Sequence, residues 1–356
     1  MEISMIYLDP RVRFSYASYY IYGLERLFGR SKLKFRITPF VEIANQGYDD
    51  CILNLVVFKD GESVRYSIDF RDPTSLVESC YKWCDIYAKV NSNFSQYIAN
   101  NIECSKVVPI PPSTAIKFNS WTRQIFLCLF NSMKSIKLGD KNIKARVLNY
   151  LHLNIARPCI NDFITFPSNC CISNCKSINY IFFISTWWYH DLCKKSTNVF
   201  RKYFIKASMD LSFSNNVVFE GGFYTDDINS LPYDVQSLAF TQKKNIKEYV
   251  TNTKKSVVVF NTPSVWSCHG WKLCEYLAMG KAIITTPLSN DLPNPLVDRK
   301  HFVVVENEED IKRAIVELIE NKKFRKSLET NAKNYWMQYC SPEAVMRYIL
   351  SYNDQK

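Results

Sequence analysis

Glycine is scarce in this sequence, with 9 residues in 356. That shortage argues against a collagen-like chain, a glycine-rich linker protein and a glycine-dense dinucleotide fold. Long hydrophobic runs are missing too. Stretches such as Ile125 to Phe130 fall far short of the ~20 apolar residues that span a bilayer. The opening MEISMIYLDP carries Glu2 and no basic region ahead of an apolar core. It reads as a first strand and not as a secretory signal. Without an export signal, the 13 cysteines are expected as reduced thiols. The one local cluster, Cys170, Cys171 and Cys175, has neither a second ligand pair at zinc-finger spacing nor a nearby histidine. Ordinary thiols in a linker are the better reading.

What is present is an ordered composition: 47% hydrophobic, 22% charged and 15% aromatic residues. The length suits two domains, each with its own core. Lys and Arg number 45 against 34 Asp and Glu, a net charge of +11. Nucleic acid, an anionic membrane surface and a phosphorylated ligand are the partners such a charge suits. The densest basic runs are Lys32 to Arg36, Lys243-Lys244 and Lys322 to Lys326. None is an Arg-rich arm or a nucleic-acid motif, so nucleic acid is not expected.

Strand patterns alternate with amphipathic helix patterns, which predicts an α/β protein with parallel sheets. Strands are expected at Ile3 to Leu8, Lys34 to Ile37 and Ile86 to Val90. A hairpin is expected from Ile52 to Asp69, turning at Asp60-Gly61. Helices are expected at Tyr16 to Phe28, Ser75 to Cys84 and Arg123 to Met133. Arg157 to Asn179 lacks periodicity and reads as the interdomain linker. Beyond it, Tyr180 to Ser185 and Ser256 to Phe260 are unbroken apolar runs, the mark of strands buried on both faces. Asn216 to Phe219 reads as a strand ending in Gly221-Gly222. Further strands are expected at Ala282 to Thr285 and Phe302 to Val305. Asn198 to Ser208, Val235 to Val250 and Gly270 to Met279 read as helices. Asp310 to Glu320 is the strongest helix, with Asn307 placed as its N-cap.

The informative stretch is VVVFNTPSVWSCHGWKLCEYLAMGKAIITTP, Val257 to Pro287. A buried strand ends at Phe260, and Asn261-Thr262-Pro263 opens a polar loop. Ser267, Cys268, His269 and Gly270 lead into a helix whose free N–H groups and positive dipole end suit phosphate. Lys272 and Glu275, three residues apart, share a face. The cation can meet phosphate and the carboxylate can accept from ribose hydroxyls. A surface salt bridge on an ordinary βαβ unit is the alternative. Gly280 is placed as the helix C-cap.

At these residues the chain resembles GT-B glycosyltransferases, in the bacterial family-1 and family-4 group. The resemblance rests on Lys272-Leu-Cys-Glu275-Tyr-Leu-Ala-Met-Gly280-Lys281 with the apolar run to Pro287, on Asn261-Thr262-Pro263, and on Pro295 to Val305. It is good over residues 255 to 350 and loose over 180 to 255. It implies two Rossmann-like β/α/β domains facing a central cleft: an acceptor-side domain at 1–163 and a nucleotide-sugar domain at 164–340. It leaves 341–356 as a C-terminal helix that can pack back on the first domain. Carried over, Glu275 binds the ribose, while Lys272 and the His269-Gly270 amides lie near the diphosphate. Thr262 and Ser267 belong to the donor loop, and Gly222 lets backbone pass close to the nucleotide. Arg201, Lys202 and Lys206 compete for the role of second basic residue. One departure is Ser267, which stands where many retaining members carry a first glutamate. Retention or inversion is therefore not assigned.

The implied activity is metal-independent transfer of a sugar from a nucleotide-sugar to a hydroxyl of a glycan or lipid-linked acceptor, in surface polysaccharide synthesis. No DxD metal-binding signature stands out, and no cofactor or metal is expected. Asp9, at the end of the first strand, is the candidate general base, with Asp72 and His152 as rivals. Trp187-Trp188-Tyr189 is a candidate cleft element, and the Pro111-Pro112-Ser113 loop a candidate lining. Basic charge with exposed aromatics suits peripheral contact with an anionic membrane, and the expected location is cytoplasmic. A nucleotide-sugar epimerase of the same fold and a non-catalytic nucleotide-sugar or glycan-binding protein are the alternatives.

Overall fold

Ile3–Leu8 forms the first strand, β1, and buries Ile3, Ile6 and Leu8. Leu33–Phe35 (β2), Ile52–Lys59 (β3), Glu62–Asp69 (β4), Ile86–Val90 (β5) and Val107–Ile110 (β6) complete a six-stranded sheet in the order β2-β1-β3-β4-β5-β6. β3 runs antiparallel to both neighbours, and the other pairs are parallel. The β3–β4 hairpin turns at Asp60-Gly61, both at positive φ, as that sequence demands. β6 has only four residues, one of them Pro109, which hides it from a pattern reading.

The computed structural model describes residues 3–44, 50–118, 121–140, 142–165, 179–214 and 217–352. They fall into two units: Met1–Ile160 with Asn290–Asn294 and Gln338–Lys356, and Asn161–Ser289 with Pro295–Met337. In the first unit the Phe14–Phe28 helix packs against the Pro342–Ser351 helix, and Tyr19 Oη donates to the Cys340 carbonyl at 2.7 Å. Cys170, Cys171 and Cys175 lie outside the described residues. Every described cysteine is a free thiol.

β1 and β4 end in the same turn. Asp9 and Asp69 each accept from the backbone N–H, Nε and Nη2 of the arginine two residues on, Arg11 and Arg71, at 2.7–3.0 Å. The second arginine–aspartate pair is joined by Lys89, whose side chain is fully buried and whose Nζ lies 3.5 Å from Asp69 Oδ1. Tyr87 Oη donates to Asp69 Oδ2 at 2.6 Å.

The second unit is built on Asn179–Ser185 (β7), Val217–Tyr224 (β8), Ala239–Phe240 (β9), Val259–Asn261 (β10), Ile283–Thr285 (β11) and Val303–Val304 (β12). β7-β8-β9 and β10-β11-β12 are parallel. Val257 N–H donates to Tyr180 O and Phe182 N–H to Ser256 Oγ, both at 2.8 Å. These bonds lay β7 beside the run into β10, so the two three-stranded sheets adjoin in the order β9-β8-β7-β10-β11-β12. Helices over Lys195–Ser214 and Glu308–Glu320 pack on each other and cover a core in which Phe204 stacks on Phe260. Asn307 caps the second of these helices by accepting from Asp310 N–H at 2.9 Å.

Two expectations about this half are corrected. Val235 to Val250 is not one helix: a short turn over Tyr233–Leu238 and strand β9 precede a helix at Ile246–Lys255. That helix starts at Asn245, whose capping box with Glu248 fixes its N-terminus. The strand expected to stop at Gly221-Gly222 runs through both glycines to Tyr224.

Candidate functional site

In the order β9-β8-β7-β10-β11-β12 the chain moves outward one way from β7 and the other way from β10. A parallel sheet of this kind opens a crevice where the direction reverses, beyond the carboxyl ends of those two strands. A cavity of about 590 Å³ lies there, within the size of small-ligand sites. Ile184, Ser185 and Thr186 reach it from β7, and Asn261, Thr262 and Ser264 from β10. Its walls include Trp188, Tyr224, Tyr249 and Trp271.

Arg201 and Lys272 reach the cavity from two helices. The Arg201 side chain, 7% exposed, donates from Nε to Thr262 Oγ1 and from Nη1 to Thr186 O, each at 3.0 Å. Lys272 Nζ donates to the Ile184 carbonyl and sits 4.8 Å over the Phe183 ring. Neither cation has a carboxylate partner within ion-pair distance among the described residues. Burial lowers Lys272 to a pKa of about 7, and neighbouring Arg201 pushes in the same direction. Burial also lowers Arg201, to about 10. A buried and a half-buried cation line the same cavity, and an anion there would relieve both.

Of the three rival basic residues, Arg201 alone lines the cavity. Lys202 pairs with Asp234 at 2.5 Å, and Lys206 is exposed. Thr262, Gly270 and Lys272 line the cavity as expected residues brought together. Gly270 starts the Trp271–Met279 helix, and a Cβ built there would meet nothing within 4 Å, because the space is cavity. Gly280 closes that helix in the left-handed conformation. Glu275 is buried one turn deeper and accepts from Tyr249 Oη at 3.0 Å. The cavity thus reaches Glu275 through Tyr249, a residue whose sequence context gave no signal. Lys243 and Lys244 stand at the rim, where Lys244 pairs with Glu220 at 2.6 Å.

Four site expectations need correction. Ser267 is not on the cavity wall. It sits at φ +57 beside Trp266 at φ +52 in a tight turn, and Ser264 takes the lining position. His269, expected to offer its backbone amide, is not among the residues lining the cavity, and its imidazole, 3% exposed, is held neutral by burial, which lowers its pKa to about 4. Gly222 does not line the cavity. At φ +147 its missing Cβ would lie 2.4 Å from the Leu238 carbonyl oxygen, so the glycine lets β9 approach β8. Gly222→Ala should cost about 1–3 kcal/mol, seen as a lower melting temperature with unchanged ligand affinity of the folded protein. Asp9 is fully buried, with both carboxylate oxygens held by Arg11. It anchors a strand-end turn and offers no free base. Of its rivals, Asp72 and His152 are both exposed. Trp188 lines the cavity while Trp187 packs on Phe223.

Residues 230–335 match the family model for glycosyl transferases, group 1. That segment is similar to group 1 glycosyl transferases. It runs from just before β9 through the Lys322–Tyr335 helix and holds Lys243, Tyr249, Thr262, Gly270, Lys272 and Glu275, with Arg201 upstream. Both units of the chain are α/β with mainly parallel sheets. Solved structures are similar at low identity. A glycosyltransferase from Rickettsia africae ESF-5 is 12% identical, with a TM-score of 0.42, over 79% of this chain and 68% of its own. The C-terminal domain of a glycosyl transferase group 1 family protein from Francisella tularensis is 16% identical, with a TM-score of 0.32, over 45% of this chain and 84% of its own. A UDP-GlcNAc 2-epimerase from Neisseria meningitidis, bound to UDP-GlcNAc, is 11% identical, with a TM-score of 0.41, over 78% and 63%. No curated protein sequence matches. At this depth of similarity the residues of the site, and not the neighbours, decide what the cavity can hold. Among the described residues no helix is long and apolar enough to cross a membrane.

Proposed function

We propose that the chain moves a sugar from a nucleotide-sugar donor to a hydroxyl of a glycan or lipid-linked acceptor in surface polysaccharide synthesis, with protein cations in place of a metal. The observation that supports this reading is the pair of a buried Arg201 and a half-buried Lys272 at the carboxyl ends of β7 and β10, with no carboxylate of the described residues within ion-pair distance of either. A diphosphate is the anion that fits two adjacent cations and a helix N-terminus. As the sugar–oxygen bond breaks, negative charge grows on the leaving diphosphate. Arg201, Lys272 and the N–H groups at the start of the Trp271–Met279 helix are already aimed at that charge, which is what lowers the barrier. The aromatic walls at Trp188, Tyr224 and Trp271 offer faces for base and sugar. Tyr249 Oη, its proton given to Glu275, offers a lone pair to a ribose hydroxyl, and Glu275 behind it is the second acceptor.

Thermal stabilisation against a panel of nucleotide sugars tests the reading. A ligand at 100 times its Kd should stabilise by ~2.7 kcal/mol, and Glu275→Ala should abolish the shift. Incubation without acceptor then separates the alternatives: an isomerised nucleotide sugar identifies an epimerase, and binding without turnover on any acceptor identifies a binding protein.

The pH dependence has a definite sign. Free Lys272 titrates at about 7, and a bound diphosphate raises that value. Above about 7, binding must therefore take up a proton, and affinity falls with rising pH by up to about tenfold per unit. A nucleotide sugar is a diphosphate diester and does not itself titrate there. Calorimetry in buffers of different ionisation heat should record the uptake, and Lys272→Gln should remove it. A pH-independent affinity in the parent protein puts the diphosphate elsewhere.

A further inference from the structure

The helices Thr122–Ser135 and Ile143–Ala156 of the first unit are built inside out. On a surface helix the inward stripe is apolar and the outward one polar. Here the inward side of the first helix carries Cys128, Asn131 and Ser132 beside Ile125. Those polar groups bond to backbone: Asn131 Nδ2 to Phe35 O at 3.1 Å, and Ser132 Oγ to Pro10 O at 3.1 Å. The outward side carries Phe126, Phe130 and Met133, which are 68%, 58% and 60% exposed, and Ile136 follows directly. The second helix buries Arg146 and Leu153 and exposes Leu148, Leu151 and Ile155, the last at 84%. Both outward stripes recur at helical steps of three and four residues: 126, 130 and 133, then 148, 151 and 155. The two helices pack against each other, so six large apolar side chains stand in water on one helical hairpin. A monomer does not leave a patch of that kind bare without a use for it.

The charge on the hairpin is of one sign. Arg123, Lys134, Lys137 and Lys144 are exposed. Lys134 Nζ lies 4.6 Å over the Phe130 ring, so its stem runs along the apolar stripe with the ammonium at the edge. The only carboxylate between 121 and 156 is Asp140, and it is taken up by buried Arg146 at 2.6 Å. Aromatic and aliphatic side chains bordered by unopposed cations match an anionic lipid surface. The apolar stripes enter the acyl boundary, and the cations stay with the headgroup phosphates. A protein partner would need a self-complementary or acidic apolar face, and the one-signed charge argues against a second copy of this chain.

We infer that this hairpin docks the protein on the surface of an anionic bilayer, lying in the interface without crossing it. The inference stands on the two helices and needs nothing from the nucleotide cavity.

The test is cosedimentation of the full chain with vesicles of phosphatidylcholine alone and of phosphatidylcholine mixed with phosphatidylglycerol, at low and high salt. The expected result is salt-sensitive binding to the mixed vesicles. Phe126→Ser with Phe130→Ser should weaken it by at least about tenfold. Lys134→Glu with Lys137→Glu should weaken it by at least about fivefold and flatten the salt response. Leu148→Ser with Ile155→Ser repeats the first test on the other helix, should either pair disturb folding as judged by circular dichroism. Failure to bind mixed vesicles overturns the inference, as does binding that all three pairs leave unchanged. A dimer in solution that the Phe126/Phe130 pair dissolves, without vesicle binding, assigns the face to a second copy and overturns it too.

Discussion

Arg201→Met should abolish donor protection and lower turnover by about 10²–10³ while leaving the fold as stable as before, or more so. The argument is electrostatic. In the free protein the guanidinium is 7% exposed, and among the described residues no carboxylate lies within ion-pair distance of it. Its hydrogen bonds to Thr262 and Thr186 only partly offset the desolvation that lowers its pKa to about 10. It also repels Lys272, one cause of that residue's fall to about 7. A methionine of similar volume removes both costs and retains the packing. Stability and function therefore move in opposite directions at this residue, as expected where charge is held in place for a ligand. Loss of a charge-assisted contact to phosphate is worth about 1.5–3 kcal/mol in binding, with the larger effect on the step in which the diphosphate leaves. Melting curves with and without nucleotide sugar, alongside initial rates, check both halves. An Arg201→Met protein that melts earlier yet binds the donor normally makes the arginine a structural residue and removes the basis of the functional reading.

Much of this site could be read from the sequence because its parts are local. The buried strand before Asn261, the loop, Gly270 and the Lys272–Glu275 spacing fall within one βα unit, and the short-range physics of helix starts and i, i+3 faces places them. Arg201 could be named as one of three and not chosen. All three sit on one helix, and only the packing against Thr262 and Thr186, residues distant in sequence, selects the one that points in. Tyr249 was hidden for the same reason, compounded by the misread Val235 to Val250: a two-residue strand, β9, leaves no periodic trace. Gly222 shows the opposite failure. A glycine in a strand signals a close approach, but the sequence does not say whether a ligand or a backbone approaches, and here it is the Leu238 carbonyl. Asp9 stands at a strand end as its sequence position predicts, but Arg11, two residues on, holds both its carboxylate oxygens, and sequence position alone does not reveal that pairing. The α/β class and the parallel sheets followed from alternation alone. The single antiparallel strand, β3, followed from the Asp60-Gly61 turn.

The same strand-end turn makes Asp69 the most consequential side chain of the first unit. Asp69→Ala should cost about 3–5 kcal/mol, a large share of the ~5–15 kcal/mol that holds a typical protein folded. Asp69 accepts two side-chain bonds from Arg71, lies 3.5 Å from the Lys89 ammonium and accepts from Tyr87 Oη. Removing it leaves Lys89, whose side chain is 0% exposed, with only the Arg71 and Val90 carbonyls. Lys89 already has a lowered pKa through burial, and Asp69 is the first influence opposing that fall. The sign of the pH effect follows. A lysine lowered in the folded state binds fewer protons there than in the unfolded chain, so stability rises with pH below the unfolded value of ~10.4. Deleting Asp69 deepens the depression, so the deficit of Asp69→Ala should be largest near neutrality and shrink as pH becomes alkaline. Lys89→Met in the Asp69→Ala background should recover part of the loss, with a coupling of about 0.5–3 kcal/mol. Urea titrations of the four proteins in that cycle measure it, and strictly additive costs would mean that Lys89 does not depend on Asp69 for its burial.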